Sequence, residues 1–288
     1  LFKKGKKSAR RQEKTLNLHF FYVIYKFHAI SANKIQMEEK MKKVFIIIVL
    51  ILLCWQLSLT QQEKTGVRGD PAAVAEAKAM VETMGGMIIW AQLKSVHFVH
   101  RWDPWYRVDS YVENEILDLT GPRSWVKMES EIYHRIRAYS PEHKYWSVTN
   151  GKFSYGSEES FKNAMERAPF SIYRIARGIA IGDPYYEIRF GKGDIPHTRR
   201  LEFYGPDGVL GGWIILNARK EPIVWATTQY RYTFGPMKQF GNLRVPNWAV
   251  YENGITRYEM ISLKGSDQVP DLSLFKAPAE FVKKNDGK

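Results

Sequence analysis

The chain is almost without cysteine. Cys54 is the only one in 288 residues and sits in the leading segment. The rest therefore has no disulfide, no thiol nucleophile and no cysteine metal site. Other signatures are missing too. There is no H-E-x-x-H helix and no acidic cluster beside a histidine, so no metal site is expected. There is no G-x-S-x-G elbow for a serine nucleophile. The GKGD at residues 191–194 lacks the first glycine at Walker spacing and a following Ser or Thr, so it is not a phosphate loop. No repeat period is visible. These absences point away from an enzyme and from a bound cofactor.

A one-signed charge field is also missing from the main body. The chain carries a net +13, but residues 1–60 hold 12 Lys/Arg and only 3 Asp/Glu. The remainder has 31 basic and 27 acidic residues, mixed along its length. A nucleic-acid footprint needs a basic stripe on the folded domain itself, so nucleic acid is excluded as a partner.

What is present begins with MKKVFIIIVLILLCWQLSLTQQ from Met41. Two lysines, an apolar run from Val44 to Leu53 and a polar stop at Gln56 and Ser58 have the form of an export signal. A signal core runs to roughly 7–15 residues, whereas a spanning helix wants about 20. Residues 41–60 are expected to be a signal peptide or an uncleaved N-terminal anchor, making the protein exported and periplasmic. Residues 1–40 begin on Leu1 with the basic LFKKGKKSARRQEK and show no cap or clean period. They are expected to be translated upstream sequence, the alternative being a basic cytoplasmic arm. Cys54 follows Leu53, where a lipobox wants a small residue, so a lipidated cysteine is the lesser alternative.

A linker is expected over residues 61–70, a single domain over 71–280 and a polar tail over 281–288. Asp70 as N-cap and Pro71 in the first turn open a helix, with Val74, Ala77, Val81 and Met84 on one face and Gly85-Gly86 at its end. Alternation then takes over. Strands are expected at Lys94–Trp102, at Tyr106–Leu117 with Val108, Val112 and Ile116 on one side, and at Trp125–Tyr139. In the last, Val126, Met128, Ile132, Ile136 and Ala138 point one way; Lys127, Glu129, Arg135 and Arg137 point the other. Asn150-Gly151 is a two-residue hairpin turn. Ser157 caps a helix through Ala168, Pro169 ends it, and Ile172, Ile175 and Ile179 continue at helical spacing. Six strands follow from Tyr185, among them Pro222–Phe234, with a longer loop at 235–247. The fold expected is mainly β (α+β). About eleven antiparallel strands curl rather than stay flat, giving a half-barrel with helices covering its concave face.

This order resembles the LolA/LolB-like superfamily of periplasmic lipoprotein carriers over roughly residues 72–278. The resemblance is carried by the early helix that ends in Gly85-Gly86 and leads through Trp90 and Leu93 to the first strand. It is also carried by Asp271-Leu272-Ser273-Leu274-Phe275-Lys276-Ala277-Pro278, which is similar to the D-x-S-L-F-x-x-P that closes such domains. It implies an unclosed barrel plugged by helices, and non-covalent binding of an acyl chain or another apolar ligand. Burial at about 0.8 kcal/mol per methylene can hold such a chain without a reactive group.

On that reading the cavity wall includes Trp102, Val108, Met128, Ile132, Ile136, Tyr230 and Tyr232, with Phe234 a further aromatic candidate. Phe161, Met165, Ile172 and Ile175 on the two helices form the lid. Aromatics also favour strands and cores generally. His100 and His134 fall on apolar faces without a third ligand, as buried or rim histidines do. Arg199-Arg200 reads as solvated strand charge or as a contact for an anionic headgroup. Phe240, Leu243 and Val245 are candidates for an exposed lip. The expected partner is a lipid or lipid-modified protein, with a membrane surface as a further possibility, bound by a monomer. The alternative is a sensor or interaction domain whose hollow is packed shut.

Overall fold

The computed structural model describes residues 66–193 and 195–281. The expected upstream segment, the export signal, Cys54 and residues 282–288 lie outside these. Among the described residues no helix is long and apolar enough to cross a membrane.

The first element is a two-residue strand, β1 (Arg68–Gly69). Asp70 then accepts a hydrogen bond from the Ala72 amide and, with Pro71, starts α1 (Pro71–Thr83). Gly85 and Gly86 take positive φ and turn the chain into α2 (Met87–Gln92). Trp90 on α2 donates its indole N–H to the Met84 carbonyl at 3.0 Å, which satisfies an otherwise open group at the end of α1.

An antiparallel meander follows: β2 (Ser95–Asp103), β3 (Tyr111–Asp118), β4 (Ser124–Glu129), β5 (His134–Ser140), β6 (Lys144–Thr149) and β7 (Lys152–Tyr155). Asn150 and Gly151 both take positive φ in the β6–β7 turn, as a tight hairpin requires. Ser157 then caps α3 (Glu158–Arg167), a 3-10 turn spans Ala168–Phe170, and Ser171 caps α4 (Ile172–Ile181). The second run is β8 (Glu187–Gly191), β9 (Arg199–Tyr204), β10 (Leu210–Leu216), β11 (Pro222–Thr227), β12 (Arg231–Phe234), β13 (Met237–Phe240), β14 (Leu243–Pro246), β15 (Trp248–Tyr251) and β16 (Arg257–Ser266).

β16 pairs with β2 and so joins the two runs into one sheet of fourteen strands, in the order β1-β8-β9-β10-β11-β12-β15-β16-β2-β3-β4-β5-β6-β7. All its pairings are antiparallel except β1 with β8. Its end strands, β1 and β7, do not pair with each other, so the sheet is not closed. β13 and β14 form a separate hairpin. The protein is thus mainly β, with one large, highly curved antiparallel sheet and a few helices.

Curvature follows from proximity. In the sheet β5 lies six positions from β12, which in a flat sheet is roughly 30 Å. Yet Tyr230, beside β12, stands close enough to Arg137 of β5 to feel its charge, and Arg167 of α3, the helix that packs on β5 and β6, lies 5.5 Å from the Tyr230 ring centre. The two wings therefore bend toward each other.

We call the face that carries α1, α2 and α4 the inner face. Met80, Val81 and Met84 of α1, Trp90 of α2 and Ile175 and Ile179 of α4 pack there with Ile188, Leu201, Phe203, Ile214 and Met260 of the sheet. The opposite, outer face is also covered in part. Trp146, Val148 and Ala138 bury against Phe275 of the C-terminal 3-10 turn (Leu272–Phe275), and the Trp146 indole donates to the Phe275 carbonyl at 2.8 Å. The closing D-x-S-L-F segment is thus a patch over the back of β4–β6.

Several expectations are corrected. Trp125–Tyr139 is not one strand but the hairpin β4–β5, reversing at residues 130–133. The register pairs Val126 with Arg137, Met128 with Arg135 and Lys127 with Ile136. Opposed partners share a face, so Arg135 and Arg137 lie with Val126 and Met128, and Ile136 lies on the other side. Within β3 the inner residues are Tyr111, Glu113, Glu115 and Leu117, not Val112 and Ile116. Pro222–Phe234 likewise divides into β11 and β12. The expected loop at 235–247 is the β13–β14 hairpin, and Leu243 and Val245 are buried rather than forming an exposed lip.

Candidate functional site

The registers place the inner-face side chains in rows that cross the strands. Two neighbouring rows meet here: Trp225 of β11, Tyr232 of β12 and Tyr251 of β15 form one, and Tyr258 of β16, Trp102 of β2 and Tyr111 of β3 form the other, which continues on β15 as Ala249. The two rows join where Tyr232 stands 6.1 Å from Tyr258. Trp225 stacks on Tyr232 at 5.9 Å, Trp102 meets Tyr258 at 4.9 Å, and Tyr111 stacks on Trp102 at 6.4 Å. Tyr230 joins the stripe against Trp225 and Tyr232. Ring pairs of this kind favour such offset and edge-on spacings. Apart from Tyr111, all of these rings are only half-buried, so the stripe keeps accessible surface.

The next row toward the helices is polar. His100 of β2 pairs across to Glu113 of β3, which pairs to Met128 of β4 and then Arg135 of β5. His100 is 5% exposed, stacks on Tyr258 at 4.1 Å, and neither ring nitrogen has a hydrogen-bond partner. Its Nδ1 stands 3.8 Å from Glu113 Oε1, beyond hydrogen-bond range. Burial lowers the His100 pKa, keeping the imidazole neutral despite Glu113. Burial pushes Glu113 upward, but His100, Arg137 and the Trp102 indole, which donates at 3.0 Å, together hold it below the ordinary carboxylate value.

The row beyond it holds Phe98, Glu115, Val126, Arg137 and Ser147. Glu115 accepts from Ser124 at 2.7 Å. Burial first, and then the charge of Glu113, raise its pKa to about 7. Arg137 is held cationic: burial opposes its charge, and Glu113, Tyr145 and Glu115 more than offset that. Tyr230 is pushed up to about 12, mainly by burial.

α3 lies over this region. It packs on β5 and β6, and its Arg167 reaches to 5.5 Å from the Tyr230 ring centre. The 3-10 turn after it anchors to the other wing, because Phe170 accepts from the Trp225 indole at 2.9 Å and lies flat on β10. The α3 segment therefore bridges the wings above the aromatic stripe.

Of the expected wall residues, Trp102, Tyr230 and Tyr232 come together in the stripe, and Met128 stands near it beside Tyr133. Phe234 is buried in the core instead. Val108 is 99% exposed in the β2–β3 loop and Ile132 is 63% exposed in the β4–β5 reversal. Neither belongs to a wall, because both sit where the chain turns and not in a strand. Ile136 is on the outer face. Of the lid residues, Phe161 and Met165 are half-buried on α3, whereas Ile172 and Ile175 are buried in the core under α4. α4 is fastened rather than free. Arg174 donates to the carbonyls of Asp118, Ala168 and Arg123 at 2.7–2.8 Å. His134 is exposed and shares the face of Ile136. Among the described residues no cluster of three His, Cys, Asp or Glu is placed to hold a metal ion.

Sequence reasoning missed Glu113, Glu115, Arg135 and Arg137. The available signal was Tyr111-Glu113-Glu115-Leu117, where two carboxylates alternate in phase with two apolar residues.

No protein-family model matches the chain. No curated protein matches it in sequence. Among solved structures, a crystal structure of a DUF1329 family protein from Desulfovibrio piger is similar, with a TM-score of 0.42 and 9% identity, over 71% of this chain and 99% of that one.

Proposed function

We propose that this protein is an exported, non-enzymatic carrier that binds a lipid or lipid-modified protein between the wings of its sheet. The fold reading that goes with it is a LolA/LolB-like half-barrel, with α3 as the lid. The observation that carries the proposal is the aromatic stripe. Trp225, Tyr230, Tyr232, Tyr258 and Trp102 form a contiguous surface that stays partly accessible beneath the α3 segment. Contiguous apolar surface of this kind on a soluble domain marks a binding site. An acyl chain laid along it gains about 0.8 kcal/mol per methylene withdrawn from water. Release then requires α3 to lift or a competing acceptor to take the ligand.

Native mass spectrometry of protein purified without detergent tests this. Bound lipid is expected in the wild type. In a titration with an acyl-chain probe, Trp102→Ala combined with Tyr232→Ala is expected to weaken binding at least tenfold. A protein that arrives empty and ignores acyl probes overturns the carrier reading in favour of a sensor or interaction domain.

A further inference from the structure

The carrier reading concerns the apolar part of a ligand; the wing formed by β5, β6 and β7 concerns the rest. Its inner face holds two polar rows, Arg137–Ser147–Ser154 and Arg135–Thr149–Lys152. No apolar side chain stands in either. Arg135 gives one hydrogen bond, from Nη2 to the Tyr145 hydroxyl at 3.3 Å, and its buried Nε has no partner. Among the described residues neither Arg135 nor Arg137 lies within ion-pair distance of a carboxylate, although twelve or more other basic side chains do. Ser147 and Ser154 hydroxyls face each other at 3.2 Å, and Lys152 and Ser154 are exposed along the edge of β7.

Two guanidiniums side by side with no carboxylate in contact repel each other, Glu113 and Glu115 acting on Arg137 only from further off, and a buried N–H without an acceptor costs free energy. Such a pair is completed by an oxyanion, because a guanidinium presents paired donors to carboxylate or phosphate oxygens. The acidic residues do not supply it. Glu113 is taken up by the Trp102 indole and Glu115 by Ser124, both on β3, two strands further in. Arg137 also acts on Tyr111 and Tyr230, so the cationic wing adjoins the aromatic stripe.

We propose that Arg135 and Arg137, with Lys152, Thr149 and Ser147 beside them, form a subsite for the anionic head of an amphiphile whose tail lies on the aromatic stripe. This rests on the carrier reading and narrows it to ligands with a carboxylate or phosphate head. The anion enters at the open edge of β7 while the apolar part slides beneath α3.

Calorimetric titration of the intact protein with oleate, oleyl alcohol and inorganic phosphate, each amphiphile below its micelle concentration, tests the proposal. Oleate is expected to bind at least tenfold more tightly than the alcohol, and phosphate alone not to bind at millimolar concentration. In the double variant Arg135→Gln, Arg137→Gln, oleate is expected to fall to the affinity of the alcohol. Retained alcohol binding would show that this variant is folded. Equal affinity for oleate and alcohol in the wild type, or a preference that survives in the variant, overturns the head subsite and leaves the carrier reading intact. Phosphate binding as tightly as oleate reduces the site to a plain anion site and overturns the proposal too. Failure of both amphiphiles overturns the carrier reading and the subsite with it.

Discussion

Arg174 is buried on the inner side of α4, and its guanidinium is spent on three backbone carbonyls: Asp118 and Arg123 at the β3–β4 connection and Ala168 in the 3-10 turn. Removing it leaves three acceptors without donors in a place water does not reach easily. Arg174→Ala is expected to lower stability by about 3 kcal/mol or more, since hydrogen bonds to charged groups each contribute about 1.5–3 kcal/mol. Urea unfolding followed by tryptophan fluorescence measures it, and a loss below about 1 kcal/mol would contradict the role given to this residue.

Glu115 carries a different kind of consequence. Its pKa rises from the ordinary 4.5 to about 7, because of burial and the neighbouring Glu113, with Arg137, Ser124 and Arg174 pulling the other way. The folded protein therefore holds a proton there that the unfolded chain has already released. Stability is full below pH about 4.5, falls as pH rises toward 7, and stays reduced above it. Glu115→Gln keeps an acceptor for Ser124 and removes the charge. It is expected to match the wild type near pH 4 and to exceed it by about 2 kcal/mol at pH 8, a figure reduced from the full shift because the side chain is only half-buried. Unfolding midpoints at the two pH values decide it; a wild type and variant that track each other across the range would refute the assignment.

At the scale of elements, the α3–α4 segment depends on how closely it can approach β10. A Cβ at Gly211 would stand 2.0 Å from Phe170 Cε2, and Phe170 is itself buried, so neither group has room to move. Gly211→Ala is expected to cost about 1–3 kcal/mol by overpacking. Adding Phe170→Leu is expected to recover part of that loss, which a two-variant thermal-denaturation cycle reads directly. The helices themselves were legible in the sequence, because their caps are local. Asp70, Ser157 and Ser171 each accept an amide of the first turn, and Gly182 closes α4 in the left-handed conformation. The β6–β7 hairpin was legible at Asn150-Gly151 for the same reason. The β4–β5 reversal was not. Residues 130–133 contain no glycine or proline, and Ile132 continues the apolar alternation across the turn.

At the scale of the whole molecule, a missed turn has a large effect. The side-chain period of a strand is two, so ignoring the reversal assigned every inner residue of β5 to the wrong face. Unbroken alternation puts Arg135 and Arg137 opposite the apolar face and Ile136 on the cavity wall, and the reversal exchanges them. The pattern could not warn against this, because β4 buries Val126 and Met128 on the inner face while β5 and β6 bury Ala138, Trp146 and Val148 on the outer one. The outer one is covered by Phe275, which pairs with Trp146 from 129 positions along the chain. The aromatic stripe and the polar rows beside it exist only because β16 comes back to β2 and sets the two runs edge to edge. By itself the sequence determined a mainly β protein, three of its helices with their caps, its mixed charge and the absence of cysteine from the described body. These depend on residue type and on neighbours a few positions away. Which side chains face inward, which are covered, and which stand together between the wings were decided only by tertiary pairing. Register and burial are set by partners distant in the chain, and a period of two cannot say which of two faces they will occupy.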